Sequence, residues 1–284
     1  MNLLVLLLVL GLRQTEPGRN LSQVIVRQGR QWRDLWLTRA ARERWNSGLA
    51  IGLVMLPAVI LLAVVVALKE VPFHHLFVGA LGLVVMVVVM LDRDVPDALQ
   101  RESLAWRQAD EQARDVISQA DPVALEEAAN AELARARRAL LGEQLRQLFA
   151  PLFWFLLLGP VAALTYYLLR LCTTGDESSV SALAGRLLHL ADWPVARVLA
   201  LSFALAGDFT AAWQHFTSRA LDTGIDAVTL VDESAAVAQV VSVRMAPSEL
   251  PGEQLVAGLS VIGALVHRAL VIWIVLLALH TLWP

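Results

Sequence analysis

Apolar and charged positions are sharply segregated along this chain. Four runs are free or nearly free of Asp, Glu, Lys and Arg: residues 49–68, 74–91, 148–169 and 266–284. At about 1.5 Å of rise per residue, helices of this length cover much or all of the roughly 30 Å of hydrocarbon in a bilayer. Only residues 69–73 separate the first two runs, which predicts a tight antiparallel hairpin. The fourth carries Arg268 near its start and Trp273 and Trp283 further on, as in a span whose cation reaches back to the surface and whose aromatics sit at the interface. The third is punctuated by Pro151 and by Gly159-Pro160. Proline inside a membrane helix removes a donor and bends the chain, and neighbouring helices must satisfy the freed carbonyls, so this run belongs to a bundle and either crosses or turns back.

The remaining stretches are patterned differently. Residues 1–12 are apolar but about half as long as a span requires, and Arg13 follows directly where a signal peptide would have a small-residue cleavage site. They read as a retained, partly inserted helix. Residues 92–147 read as helix with a break at Asp121-Pro122, where Asp121 suits an N-cap and Pro122 a first helical position. Glu126, Glu127 and Glu132 precede Arg135, Arg137 and Arg138 there, the pattern of a solvated face with supporting ion pairs. Within 172–253, residues 180–190 and 194–206 form two apolar stretches joined at Asp192-Trp193. Each is too short to span alone, which suggests an interfacial or re-entrant helical pair.

The chain thus divides into a partly inserted helix with a basic interfacial segment (1–48), a transmembrane hairpin (49–91), a cytoplasmic helical region (92–147), a transmembrane or re-entrant segment (148–171), an interfacial helical region (172–254) and a C-terminal transmembrane helix (255–284). The fold class is all-α: a polytopic helical membrane protein with about four to five membrane helices and cytoplasmic or interfacial amphipathic helices. Composition agrees, with 57 % apolar residues and a mean hydropathy of +0.59, both too high for an ordinary soluble domain. The cations are 22 Arg and the single Lys69, and eight of the arginines precede residue 49, which by the positive-inside rule places that stretch in the cytoplasm. Trp32, Leu35 and Trp36 among those arginines suit either a basic helix on an anionic leaflet or a solvated basic helix with a few apolar contacts. Charge leaves the side of residues 172–253 open, because loops of that length escape the rule.

Several chemistries are excluded. One cysteine, Cys172, makes neither a disulfide nor a Cys-based metal site, and it reads as a small buried or interfacial residue. A single lysine outside any Gly-rich motif excludes a P-loop. The six histidines lack H-E-x-x-H or comparable spacing, and no G-x-S-x-G elbow is present. A net charge of -3 without a basic aromatic face argues against nucleic acid. Neither a metal nor a cofactor is expected. What remains are polar residues near membrane boundaries: Glu143 and Gln144 before the third run, and Asp192, Trp193 and Arg197 in the apolar pair. Ionisable groups at membrane depth are costly unless paired or lining a cavity, which makes them candidates to bind a ligand or partner. Asp192 and Arg197 flank Pro194 and suit a structural ion pair, while Arg268 suits a cation reaching to the surface.

The order Ala109-Asp110-Glu111-Gln112-Ala113-Arg114, Asp121-Pro122, Glu143-Gln144, Ala150-Pro151-Leu152-Phe153-Trp154, Gly159-Pro160 and Asp192-Trp193-Pro194-Val195-Ala196-Arg197 resembles the CobD/CbiB family of membrane proteins over nearly the whole chain. Enzymes of that family join an aminopropanol phosphate to adenosylcobyric acid. The alignment places Ala120, Ala139, Gln144 and Gln147 where those enzymes carry Arg, Glu, Asn and Asp, and residues 170–174 lack the Asn and Asp of their Asn-Thr-Leu-Asp-Ser segment. Asp121, Glu143 and Asp192 are retained. The resemblance implies a kept scaffold with an eroded site, as in the inner-membrane branch of the family linked to β-lactamase regulation and cell-wall recycling. On that reading the protein is a non-catalytic regulator whose partners are the lipid bilayer and a cell-wall-derived ligand or a recycling protein. The alternative is a membrane enzyme forming an amide bond, for which the three retained carboxylates speak.

Overall fold

So much uninterrupted apolar sequence must satisfy its backbone polar groups within each segment, and helix is the local solution. The computed structural model describes residues 16–43, 45–68, 74–90, 106, 108, 122–174, 179–220, 222, 224–239 and 251–282, and among these it is all helical, with no strand. The apolar segment 1–12, the turn 69–73, and Asp121 with nearly all of 91–120 lie outside the described residues. In chain order the helices are α1 (Glu16–Arg42), α2 (Ser47–Val54), α3 (Leu56–Leu68), α4 (His74–Met90), α5 (Pro122–Gln144), α6 (Ala150–Leu158), α7 (Pro160–Thr173), α8 (Ser179–Ala206), α9 (Phe209–Arg219), α10 (Ala227–Ala238) and α11 (Pro251–Leu282). One wide π-helical turn, Leu145–Phe149, joins α5 to α6.

Two helices are long and apolar enough to cross a membrane, α8 and the Gln254–Leu276 part of α11. A third span arises if α2 and α3 are taken together. The chain forms two compact units: residues 1–93, 146–195 and 274–284 in the first, and 94–145 and 196–273 in the second.

In the first unit the run 49–68 is not a straight span. It bends by 50° between α2 and α3. Pro57, in the first turn of α3, has no N–H to give the Leu53 carbonyl and its ring crowds that position. The indole Nε1 of Trp32 donates to the Val54 carbonyl at 3.2 Å, satisfying an acceptor where the ladder breaks. The run 148–169 departs from a single span more strongly. Gly159 adopts φ 85° and ψ -168°, a region open essentially to glycine alone, and α6 and α7 fold back to pack on each other. α7 is the centre of this unit, packing also against α1, α2, α3 and α4. Its C-terminal carbonyls are capped from α1: Arg33 donates to the Leu171 carbonyl at 3.3 Å and to Thr174 at 2.5 Å, a cation where the helix dipole favours one. Cys172, in that last turn, is buried.

Residues 180–190 and 194–206 prove to be one helix, α8, with Pro194 inside it. The reading of two short apolar stretches is corrected here. Proline removes one ladder bond and bends the axis, and side-chain bonds on either side of it, described below, hold the helix through the interruption.

The second unit is built around α10, which buries Leu230, Val231 and Ala235 and packs on α5 and α9. The charged face of α5 is not merely solvated. Arg137 forms a bidentate pair with Asp232 of α10 at 2.7 and 3.3 Å, and Arg138 donates to Thr229 at 2.6 Å, while Glu132 and Arg135 pair along the helix. Exposed side chains would have contributed little, but Arg137 and Asp232 are 15 % and 13 % exposed, so screening by water is reduced. Trp273 of α11 donates to Ser202 of α8 at 2.8 Å in the interior. Arg268 is exposed and donates to the Ala206 carbonyl at 2.9 Å and to Gln239 at 3.0 Å, so instead of only reaching for the surface it caps the C-terminus of α8.

Candidate functional site

Among the described residues Asp192 is the one buried carboxylate, 1 % exposed. A charge at that depth must be paired, and α7 and the wide turn supply the partners. The Tyr166 hydroxyl donates to Oδ1 at 2.7 Å, and Arg146 Nε donates to Oδ2 at 3.2 Å. Tyr166 is itself buried, whereas the Arg146 side chain is 42 % exposed, so this ion pair runs from the interior towards the surface. Both carboxylate oxygens thus accept charge-assisted or hydroxyl bonds, which strengthen one another where the surroundings are apolar.

Local sequence explains how Arg146 comes to face Asp192. Pro151, near the start of α6, cannot donate to the carbonyl four residues back, at Gln147, and its ring displaces that carbonyl. The helix accommodates this by widening into the π-turn that contains Arg146, Gln147 and Leu148. Wide turns of this kind occur often at functional sites. Gln147 and Leu148 are buried inside it, and Arg170, one turn beyond Tyr166 on α7, lies over the Tyr167 ring at 5.7 Å.

The remaining sequence candidates fall as follows. Trp193 stands half-buried beside Asp192 in the first unit. Glu143 and Gln144 are half-buried on the last turn of α5, in the second unit. Arg197, 7 % exposed, also belongs to the second unit, where Nε donates to the Ala220 carbonyl at 2.9 Å and Nη2 to the Asp222 carbonyl at 2.6 Å. It caps the C-terminal end of α9, so Asp192 and Arg197 each hold a different set of partners in addition to any contact along α8. Asp121 lies outside the described residues.

Sequence reasoning missed Tyr166 and Arg146. A tyrosine in an apolar run carries a hydroxyl that needs a partner when buried, and that was the available signal. Nothing local marks Arg146, since its partner lies 46 residues away. A second pair it missed is His215 with Glu233, 3.5 Å apart between α9 and α10. Among the described residues no group of three or more His, Cys, Asp or Glu is placed to hold a metal ion. Chemically, the Asp192 cluster can fasten α7, α8 and the wide turn together, and breaking it would release all three at once. Comparison with protein-family models, with curated proteins and with solved structures yields no match.

Proposed function

We propose that this chain is an AmpE-like inner-membrane protein of the CobD/CbiB family, with a regulatory and non-catalytic part in β-lactamase induction and cell-wall recycling. Its input would be a cell-wall-derived ligand or a recycling protein. The observation that carries this reading is the state of Asp192. The retained Asp-Trp-Pro-x-x-Arg segment holds its carboxylate buried against Tyr166 and Arg146, an arrangement suited to fastening helices and poorly suited to binding phosphate or a metal. The neutral residues Ala139, Gln144 and Gln147 at positions where the family's enzymes carry acids or Asn point the same way.

In this reading the protein is multi-pass with four to five membrane helices: the bent pair α2–α3, α4, the folded pair α6–α7, α8 and α11. The two long apolar helices and the bent pair support up to three of these crossings, and the arginine-rich stretch before residue 49 supports a cytoplasmic start. Impermeant labelling of cysteines introduced between residues 172 and 253, in whole cells, tests the topology. The functional test is β-lactamase induction in a strain whose only copy carries Asp192→Asn or Tyr166→Phe. Altered induction at normal protein level is expected, and unchanged induction in both variants would overturn the regulatory role of this cluster.

The rival reading, a membrane enzyme forming an amide bond, draws on the same wide turn, because such turns often mark active sites. Complementation of a strain lacking the cobalamin enzyme separates the two: the regulatory reading expects no restored cobalamin synthesis.

A further inference from the structure

Arg146 and Tyr166 stand 20 residues apart in the chain, yet they bond the two oxygens of one carboxylate, that of Asp192. In a straight helix about 30 Å would separate them, more than the side chains can bridge. The reversal at Gly159 therefore brings the two ends of the run 148–169 close to one level, with Arg146 before it, Arg170 after it and no charged residue or histidine between. The backbone at the reversal is satisfied: the Gly159 N–H donates to the Phe155 carbonyl at 2.9 Å, and the Gly159 carbonyl accepts from the Ala163 N–H at 3.4 Å. A break of this kind is tolerated at membrane depth only under that condition.

Contacts within the first unit give the side of the membrane. Arg33 donates to the Thr174 carbonyl and hydroxyl at 2.5 Å, and the Ser47 hydroxyl donates to that of Ser179 at 2.9 Å. Arg33 and Ser47 both belong to the arginine-rich stretch before the first apolar run, which the positive-inside rule places in the cytoplasm. A run that crossed once would carry Thr174 and Ser179 to the opposite face, out of reach of both. Upstream of the hairpin, residues 92–145 contain no charge-free stretch longer than five residues, so the chain leaving α4 has no means of crossing before Arg146.

Two independent measures give the depth. From Arg146 to Leu158 and from Pro160 to Arg170 the limbs rise by about 18 and 15 Å, roughly half of a 30 Å hydrocarbon core. A Cβ on Gly82 would stand 3.3 Å from the Phe155 ring, so Phe155, one turn before the reversal, lies against the middle of α4. The tip is apolar: Leu157 and Leu158 are 61 % and 65 % exposed. Thr165, the other exposed residue of the run, spends its hydroxyl on the Val161 carbonyl at 2.8 Å and presents no open donor.

We propose that α6 and α7 form a re-entrant hairpin, which enters the bilayer from the cytoplasmic face, sets Leu157 and Leu158 against acyl chains near the centre, and returns to the same face. The proposal rests on the membrane reading given above. It makes residues 174–178 cytoplasmic, where charge alone left the side open. It also gives the Asp192 cluster a direction: Arg146, 42 % exposed at the mouth of the hairpin, is reached from the cytoplasm, so a ligand that acts on this ion pair is a cytoplasmic one.

The test uses the full chain with Cys172→Ala. Asp176→Cys and Ser178→Cys are treated with a membrane-impermeant maleimide in spheroplasts and in inverted membrane vesicles, with Gln28→Cys as the cytoplasmic reference and Glu70→Cys, between α3 and α4, as the outer one. Labelling that follows Gln28→Cys is expected. Labelling that follows Glu70→Cys would overturn the proposal, since the run then crosses. Depth is read from nitroxide at Leu157→Cys and Leu158→Cys in vesicles of phosphatidylethanolamine and phosphatidylglycerol, with exposed Val84→Cys on α4 as the lipid reference. The ratio of collisions with oxygen to collisions with a water-soluble nickel complex is expected to be several-fold higher at 157 and 158 than at Gln28→Cys. A water-like tip beside a lipid-like Val84→Cys overturns the insertion alone, whereas a water-like Val84→Cys overturns the membrane reading beneath it as well. Spectral broadening at the tip that disappears on dilution with unlabelled protein also overturns the proposal, since a second copy would then cover the leucines.

Discussion

Two prolines in apolar sequence meet opposite fates here. At Pro160 the chain reverses, and α6 and α7 fold onto one another; at Pro194 the helix runs on through 28 residues. The prolines themselves are alike, each lacking an N–H and each fixing φ near the helical value. What differs is the neighbourhood. Pro160 follows a glycine that takes φ 85°, and it then occupies the first position of a new helix, where its missing donor costs nothing. Pro194 lies between two anchored side chains, with Asp192 held by Tyr166 and Arg146 before it and Arg197 held by the Ala220 and Asp222 carbonyls after it. Proline weakens a helix locally, and the residues beside it decide whether the chain turns or is carried across.

That contrast can be broken in graded steps. Gly159→Val should cost the most, about 1–3 kcal/mol, because a branched side chain cannot hold φ 85° and ψ -168° without strain. The measurement is unfolding in mixed micelles followed by helical circular dichroism, and an unchanged midpoint would show that the reversal does not depend on this glycine. Tyr166→Phe comes next, at about 1.5 kcal/mol, the lower figure for a hydrogen bond to a charged group. Its effect should fall close to zero in an Asp192→Asn background if the two side chains act together, so a double-mutant cycle gives the answer. Pro160→Ala should lower the same midpoint by only about 0.4–1 kcal/mol, through added freedom of the unfolded chain. Pro194→Ala should not lower it at all, since the variant regains a backbone bond to Leu190 and loses none. A fall there as large as at residue 159 would erase the distinction between the two prolines.

The sequence made much of the architecture readable, because long apolar runs leave helix as the one local solution. Its errors share a cause. Asp192-Trp193-Pro194 looked like a joint since polar residues and proline usually end an apolar helix, but the partners that carry α8 across them lie 23 to 46 residues away. Pro57 within 49–68 gave a local signal for the bend between α2 and α3 that hydropathy alone outweighed. Asp192 itself was legible, since an acid in an apolar segment stands out, and so was Arg197. Arg146 and Tyr166 were not, because nothing in the pattern of an interfacial arginine or a membrane tyrosine says which residue it will meet. The Arg137–Asp232 pair was hidden for the same reason: along α5 alone, an arginine five residues after Glu132 looks like surface.

The wide turn at Leu145–Phe149 can also be considered as a matter of counting. A π-turn holds one residue more than an α-turn, so it behaves as an insertion that the helix has absorbed without ending. Each residue of an α-helix turns the chain by about 100°. Removing one residue from this turn, Leu148 for instance, would take out that surplus and swing the Arg146 side chain about a quarter of the way round the axis relative to α6, away from Asp192. The ion pair thus depends on arithmetic as well as chemistry: a single surplus residue sets the phase in which arginine and aspartate meet.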